Sequence, residues 1–93
     1  MPSSVVSTVK VEIYSTALCP YCSRAKMLLD KKSVPYTEYR IDQQTGLRDE
    51  MIKRSNHRTS VPQIFINNKH IGGFDELAEL DVDDELDALL QLN

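Results

Sequence analysis

Hydrophobic and polar positions predict a strand, a helix and a second strand in the first half of the chain. Residues 8–15 read T-V-K-V-E-I-Y-S, where β-branched side chains alternate with polar or aromatic ones, a pattern typical of a strand. Residues 21–32 predict a helix, because Cys22, Ala25, Leu28 and Leu29 recur at helical spacing and form one apolar face. Residues 33–35, S-V-P, break this helix, and residues 36–41 predict the second strand.

The second half continues with a helix, two strands and two further helices. They are predicted over residues 47–54, 63–66, 69–71, 75–80 and 82–92, in that order. Asn67-Asn68 is a hairpin turn signal between the two strands. A β-α-β start needs a parallel pair, and a hairpin adds an antiparallel edge. The order β-α-β-α-β-β-α therefore predicts an α/β fold with a four-stranded mixed sheet flanked by helices.

Composition narrows the class of protein. The 93 residues are 41% hydrophobic and 27% charged, which indicates a globular chain rather than a disordered or fibrous one. No linker or repeat interrupts it, so we expect one domain over residues 1–93, with residues 1–8 loosely ordered. The two cysteines are too few for a disulfide-stapled secreted miniprotein. Without a signal-peptide pattern or an apolar membrane span, a cytoplasmic protein with no membrane association is expected.

The charges are unevenly distributed along the chain. Residues 75–93 hold eight of the fourteen acidic side chains and no Lys or Arg, whereas residues 1–74 carry a formal charge of +5. The acidic segment is interpreted as a solvated helix face. The basic part favours a small anionic ligand, but it is too dilute and too poor in aromatic residues to indicate nucleic-acid binding.

Cys19 and Cys22 form a Cys-x-x-Cys pair at the junction of the first strand and the first helix. A cysteine at a helix start lies near unpaired backbone N–H groups and the positive end of the helix dipole, which favour a thiolate. Such cysteines have pKa values of about 3.5–7.5 rather than about 8.5. Cys22, nearly one turn further along, is expected to be more buried. The spacing therefore assigns the attacking sulfur to Cys19 and the resolving sulfur to Cys22.

The same pair could instead supply half of a zinc site. The remaining ligands would then be His57 and His70, which are thirteen residues apart and lie on different predicted elements. Each is better explained as a surface or turn histidine, so no metal is expected.

Several motifs resemble those of dithiol glutaredoxins and occur in the same order. Residues 19–26 read C-P-Y-C-S-R-A-K, and residues 51–55 read M-I-K-R-S. Residues 58–66 read R-T-S-V-P-Q-I-F-I, and residues 70–77 read H-I-G-G-F-D-E-L. The resemblance extends over about residues 9–80 and is closest to the short bacterial glutaredoxin-3 type.

This resemblance implies a thioredoxin fold and a groove for glutathione. Pro62 matches the family's cis-proline, and a proline just before a strand is compatible with this position. By the same resemblance, Tyr21 flanks the reactive sulfur and the backbone of Val61 pairs with the ligand. On the residues alone, a simple strand-entry proline stays an alternative for Pro62.

The ends of the glutathione molecule are assigned in the same way. The resemblance implies that Arg58 faces the glycyl carboxylate, with Ser60 close by, and that Phe74 and Asp75 hold the γ-glutamyl end. A helix N-terminus offers N–H donors to a carboxylate, which agrees with the last assignment. The residues alone leave two alternatives open, a helix cap at Asp75 and a solvated Arg58.

Two positions depart from the family pattern. Thr16 stands where a lysine is common, and Phe74 stands where a small residue or cysteine is common. The first change removes a contact to a ligand carboxylate, and the second places a bulky ring at the γ-glutamyl pocket. We therefore expect glutathione to bind more weakly here than in relatives that carry the lysine.

The function implied is that of a glutathione-dependent thiol–disulfide oxidoreductase, an electron carrier in redox homeostasis. It would reduce protein disulfides and protein–glutathione mixed disulfides as a monomer, with glutathione as co-substrate. Its expected partners are client proteins, such as ribonucleotide reductase, and indirectly glutathione reductase. Two alternatives are a thioredoxin-like donor reduced by a flavoprotein, which Pro20-Tyr21 between the cysteines disfavours, and a carrier of a [2Fe–2S] cluster.

Overall fold

The computed structural model describes residues 9–92, which form four strands and four helices. In chain order these are β1 (Val11–Ser15), α1 (Pro20–Lys31), β2 (Thr37–Arg40), α2 (Leu47–Arg54), β3 (Gln63–Ile66), β4 (Lys69–Gly72), α3 (Phe74–Val82) and α4 (Leu86–Leu89). The predicted loose order of residues 1–8, including the predicted strand start at Thr8, lies outside the described residues. Over the described part of the chain, no helix is long and apolar enough to cross a bilayer.

The four strands of this region form one mixed sheet in the order β2-β1-β3-β4. β1 runs parallel to β2, with Glu12 opposite Thr37, and antiparallel to β3. β3 and β4 form the predicted hairpin. Its turn residues Asn67 and Asn68 have φ angles of 51° and 67°, as a type I′ turn requires. The predicted four-stranded mixed sheet flanked by helices is confirmed, and the fold is thioredoxin-like.

One face of the sheet packs against α1, α3 and α4 through aliphatic side chains. The buried members of this cluster are Val11, Ile13, Ala25, Leu29, Val34, Ile64, Ile66, Leu77, Leu86 and Leu90. The helical face predicted for residues 21–32 lies here, with Cys22, Ala25 and Leu29 fully buried. This packing fixes α1, and with it the position of the two cysteines.

The other face is covered by α2 and carries charged groups. Tyr14, Met51 and Phe65 form its apolar centre, and Glu12 beside them is only 3% exposed. Arg54 donates hydrogen bonds of 2.9 and 3.3 Å to the Glu12 carboxylate. Alternation of apolar and polar residues is typical of a strand with one solvent-facing side, but β1 is buried on both sides because α2 covers the second one.

The C-terminal helices differ from the prediction. Instead of one helix over residues 82–92, α3 continues to Val82 and α4 spans only Leu86–Leu89. Asp84 between them has a φ of 60°. This left-handed conformation ends a helix, and aspartate adopts it more readily than most residues.

The acidic C-terminal segment is only partly the solvated face that its composition suggests. Asp81 and Asp87 each place a carboxylate oxygen 2.8 Å from Nζ of Lys32, the residue that follows α1. The hydrogen bonds that the Lys32 ammonium donates to these two carboxylates raise the pKa of Lys32 to about 12. The segment is thereby connected electrostatically to the end of the helix that carries the cysteines.

Candidate active site

Cys19 lies where the sequence predicts the start of a helix. It is the N-cap residue of α1, Pro20 is the first helical residue, and Sγ of Cys19 accepts a hydrogen bond of 3.0 Å from the N–H of Cys22. The two sulfurs are joined in a disulfide. Cys19 is 9% exposed and Cys22 is 1% exposed, so the expected difference in burial is confirmed. In the reduced protein, the same N–H group would stabilise a thiolate on Cys19.

The loop that leads from β1 to Cys19 is held by Asp42. Oδ2 of Asp42 accepts a hydrogen bond of 3.1 Å from the N–H of Ala17. Arg40 donates two further bonds of 2.8 Å to the same carboxylate, and they hold the pKa of Asp42 well below its usual range. The sequence indicates only a turn at Asp42, and its role in positioning this loop was missed. An aspartate directly after a strand that pairs with β1 was the available signal.

Val61 and Pro62 lie opposite the cysteine pair. The peptide bond between them is cis, as the resemblance implies. The carbonyl oxygen of Val61 is 3.8 Å from Sγ of Cys19. Pro62 is buried and comes directly before β3, so this segment is fixed by the central part of the sheet. A backbone edge is therefore available beside the reactive sulfur.

All seven residues that the resemblance assigns to glutathione line one groove of about 270 Å³. They are Tyr21, Arg58, Ser60, Val61, Pro62, Phe74 and Asp75, and Gly73 and Glu76 complete the lining. Three separate parts of the chain contribute to it, namely the start of α1, the segment before β3 and the start of α3. The structure thus brings these residues together, although they are far apart in the sequence. Their individual contacts with a ligand stay predictions.

Glu76 is a groove residue that sequence reasoning missed. Its Oε1 accepts a hydrogen bond of 2.6 Å from the N–H of Gly73 and lies 3.7 Å from Nη2 of Arg58. The bond from Gly73 and the nearby Arg58 charge lower the pKa of Glu76 below its usual value. Glutamate three residues after a helix cap is a recognised sequence signal. Gly73 is the N-cap of α3, so the alternative interpretation of Asp75 as the cap is wrong.

Phe74 and Tyr21 form an aromatic border between the groove and α1. Their ring centroids are 6.4 Å apart, and the guanidinium of Arg24 lies 5.3 Å from the centroid of the Tyr21 ring. Tyr21 is 53% exposed, so it is free to contact a ligand beside Cys19. The bulky ring of Phe74 therefore lies on the border of the groove, where the resemblance expects a smaller residue. Weaker glutathione binding from Thr16 and Phe74 stays a prediction.

The two histidines do not lie together. His57 is exposed, as expected. His70 is half-buried, and its Nε2 is 2.6 Å from Oε1 of Gln63. The expectation of a surface or turn histidine is therefore wrong for His70. Over residues 9–92, no group of three or more His, Cys, Asp or Glu side chains is arranged to hold a metal ion. The zinc alternative thus has no supporting geometry in this part of the chain.

A second and larger groove of about 570 Å³ lies between β4 and the C-terminal helices. Acidic and apolar side chains dominate its lining, and none of the described residues that line it is a cysteine. The smaller groove, in contrast, is lined by Val61, whose carbonyl oxygen is 3.8 Å from Sγ of Cys19.

Comparison with known proteins points to the family that the sequence motifs resemble. The glutaredoxin family model matches residues 11–71. Glutaredoxin 3 of Escherichia coli is 56% identical over 81 residues, which cover 87% of this chain and 96% of that protein. The solution structure of glutaredoxin from Brucella melitensis matches with a TM-score of 0.79 at 44% identity, over 94% of both chains. The crystal structure of a buckwheat glutaredoxin–glutathione complex matches with a TM-score of 0.82 at 30% identity, over 91% of this chain and 79% of that one.

These matches agree with each other over most of the chain. The family model includes both cysteines and Val61-Pro62, and the E. coli relative is matched over nearly its whole length. The resemblance seen in the sequence is thereby confirmed. This chain belongs to the glutaredoxin family and is a glutathione-dependent thiol–disulfide oxidoreductase.

Proposed function

We propose that Cys19 is the attacking sulfur of this oxidoreductase and Cys22 the resolving one, acting on protein–glutathione mixed disulfides and on protein disulfides. One observation supports this assignment more than any other. Sγ of Cys19 accepts the N–H of Cys22 at the start of α1 and borders the groove segment at Val61, whereas Cys22 is 1% exposed. Only the Cys19 sulfur combines a stabilised thiolate with access to a substrate.

On a mixed disulfide, the Cys19 thiolate attacks the sulfur of the glutathione moiety. A Cys19–glutathione disulfide forms, the original disulfide breaks, and the client leaves as a thiolate that takes up a proton. The thiolate of a second glutathione then attacks the glutathione sulfur of the new disulfide. Oxidised glutathione leaves and the Cys19 thiolate is restored, so Cys22 is not required.

On a protein disulfide, Cys19 forms a mixed disulfide with one client cysteine and releases the other. Cys22, deprotonated as it attacks, then displaces the client thiolate, which leaves the Cys19–Cys22 disulfide seen in the structure. Two glutathione molecules reduce that disulfide and leave as oxidised glutathione. Glutaredoxin couples have potentials of about −200 to −230 mV, which suits reduction by a glutathione pool.

We assign the groove to the glutathione moiety. Arg58 is placed to face the glycyl carboxylate, and the backbone of Val61 to pair with the cysteinyl part next to Cys19. The N-terminus of α3, at Phe74 and Asp75, is placed to receive the γ-glutamyl end, because N–H groups without helical partners favour a carboxylate there. Two opposite charges support this orientation, since Arg58 and Asp75 line the same groove.

The setting proposed follows from this chemistry. Reduced glutathione, regenerated by glutathione reductase, requires a reducing compartment such as the cytoplasm. We propose a monomer that acts as a single domain. Ribonucleotide reductase is one candidate client. We propose no resident metal and no nucleic-acid or membrane partner.

Serine variants of the two cysteines test the assignment. In an assay coupled to glutathione reductase and NADPH, Cys19→Ser is expected to lose activity on both a glutathionylated peptide and a protein disulfide. Cys22→Ser is expected to keep activity on the glutathionylated peptide and to lose it on the protein disulfide. Equal loss of both activities in Cys22→Ser would contradict the roles proposed here.

Two further measurements separate the alternatives. Turnover with a flavoprotein thioredoxin reductase in the absence of glutathione would favour a thioredoxin-like donor. A coloured protein after anaerobic reconstitution with iron and sulfide would favour a cluster carrier. We expect neither of these two results. We expect full glutathione-dependent turnover in the same preparation.

A further inference from the structure

The side chain of Gln63 supports the groove segment between Arg58 and Val61 from the interior of the protein. Gln63 is fully buried at the start of β3. Its Nε2 donates a hydrogen bond of 3.0 Å to the carbonyl oxygen of Ser60 and lies 3.3 Å from Oγ of Ser60. The backbone carbonyl can only accept, so this contact fixes which end of the amide faces Ser60. The amide oxygen of Gln63 must then point the other way.

His70 on β4 is the partner of that amide oxygen. Its Nε2 is 2.6 Å from Oε1 of Gln63. Because Oε1 can only accept, Nε2 of His70 must carry the proton, which selects one tautomer of the neutral ring. The ring packs against Phe65, with centroids 5.1 Å apart, and is therefore held in plane for this bond.

The charge state of His70 is compatible with this tautomer. Burial and the Arg58 charge lower the pKa of His70, and the Glu76 carboxylate acts in the opposite direction. The net effect keeps the ring neutral near pH 7. Arg58 and Glu76 both line the groove, so the charges that act on His70 belong to residues that border the ligand site.

We propose that Gln63 and His70 are positioning residues for the glutathione groove. His70 orients the amide of Gln63, and Gln63 holds the carbonyl of Ser60. The backbone of Val61 thereby keeps its position beside Cys19. This rests on the proposed use of the groove by glutathione. A second anchor holds the other end of the same segment, since Oγ of the buried Ser55 donates a hydrogen bond of 3.1 Å to the carbonyl of Arg58.

Loss of the His70 bond would disturb binding more than chemistry. A buried amide oxygen without a donor is costly, and the amide can relieve this only by rotating. Rotation would turn its oxygen toward the carbonyl of Ser60, and two acceptors repel each other. The reactive thiolate depends on the N-terminus of α1 instead. The KM for a glutathionylated substrate should therefore change while kcat changes little.

The Gln63→Met variant tests this with a side chain of similar length. Its thioether cannot donate a hydrogen bond to the carbonyl of Ser60. We expect the KM for a glutathionylated peptide to rise about tenfold, as expected for the loss of about one hydrogen bond, with kcat within about twofold of the parent value. Ile66→Val is the matched control, because Ile66 is buried on the same strand and does not line the groove. It should leave both constants unchanged.

The outcomes separate this inference from the function on which it rests. An unmodified protein with no glutathione-dependent turnover would overturn the proposed function. An active protein whose Gln63→Met variant keeps the parental KM would overturn the positioning role alone.

A measurement on the unmodified protein holds even if the variant fails to fold. Long-range ¹⁵N–¹H correlation of the His70 ring at pH 7.5 is expected to show the proton on Nε2. A proton on Nδ1 would contradict the hydrogen-bond chain from His70 to Ser60.

Discussion

The two faces of the sheet support the active site by different means. The face under α1, α3 and α4 is aliphatic, and it positions the helix that carries Cys19. The face under α2 combines Tyr14, Met51 and Phe65 with an ion pair between the buried Glu12 and the half-buried Arg54. The chain that leaves α2 forms the groove segment. Apolar packing is non-directional, whereas hydrogen bonds fix distances and angles. The nucleophile thus depends on packing, and the ligand segment depends on polar geometry.

The polar face is organised around Arg54. Its guanidinium binds Glu12 on β1, donates a hydrogen bond of 2.8 Å to the hydroxyl of Tyr14 and lies 4.1 Å from the centroid of the Phe65 ring. Tyr39 on β2 donates another bond of 2.9 Å to Glu12. Arg54 therefore connects the end of α2 with β1 and β3 directly and with β2 through Glu12, shortly before the segment that lines the groove.

The largest expected effect comes from Arg54→Met. This change removes the hydrogen bonds that Arg54 donates to the buried Glu12 carboxylate and leaves Lys10, whose Nζ is 3.8 Å from Oε2 of Glu12, as the nearby cation. Loss of one partner of a buried pair typically costs about 3–5 kcal/mol, and the 25% exposure of the Arg54 side chain places this loss near the lower end of that range. We expect the free energy of unfolding in urea to fall by this amount. Because Arg54 precedes the groove segment, the KM for a glutathionylated peptide should also rise.

The double variant Glu12→Leu/Arg54→Met is its control. Replacing both members of a buried pair with apolar residues is often neutral in stability, so most of the lost stability should return. A single Arg54→Met variant as stable as the unmodified protein would show that the ion pair does not hold this face together.

The next effect is expected on the aliphatic face, from Leu29→Ala. Leu29 is fully buried on α1, and the substitution should lower the free energy of unfolding by about 2–5 kcal/mol. We expect the KM for a glutathionylated peptide to stay unchanged, because Leu29 packs in the aliphatic core and Tyr21 at the start of α1 is the one residue of this helix that lines the groove. Met27→Ala on the same helix is the matched control, since Met27 is 68% exposed and should change stability by about 0.5 kcal/mol or less. A raised KM in Leu29→Ala would remove the distinction between the two faces.

The fold and the reactive pair could be predicted because their signals are local. The alternation before Cys19, the proline after it and the Asn67-Asn68 turn each act within a few residues. The groove could be assembled from sequence only through family resemblance, since its residues come from three distant parts of the chain. Periodicity alone predicts the helices and strands that carry these residues, but not that the residues lie in one groove.

What the sequence did not reveal depends on contacts between distant residues. Glu12 has a polar side chain in an alternating strand, and nothing near it shows that α2 will cover it and supply Arg54, which is 42 residues away. Asp42 supports the loop at Ala17 across 25 residues. His70 gains its role only when β4 pairs with β3 and places it against Gln63. Such pairs become visible only once the topology is known.

Acid stability gives the smallest effect and the most selective test of the polar face. Burial raises the pKa of Glu12, but the hydrogen bonds from Arg54 and Tyr39 outweigh it, so the pKa lies below the usual value of 4.5. A carboxylate with a lowered pKa in the folded state contributes stability above pH 4.5, and this contribution is lost as the pH falls through the folded-state pKa. Glu38, Asp42 and Glu76 have lowered pKa values as well. The whole protein should therefore lose stability below pH 4.5.

The double variant Glu12→Leu/Arg54→Met isolates the contribution of the Glu12–Arg54 pair to the loss of stability below pH 4.5. It keeps the three other carboxylates and lacks Glu12, so its free energy of unfolding should decline less steeply below pH 4.5 than that of the unmodified protein. Urea denaturation at a series of pH values from 7 to 3 gives both slopes. If the two slopes were equal, Glu12 would have the same proton affinity in the folded and unfolded chain. Its bonds to Arg54 and Tyr39 would then only balance the cost of its burial, and the polar face would owe its stability to packing, like the face that holds Cys19.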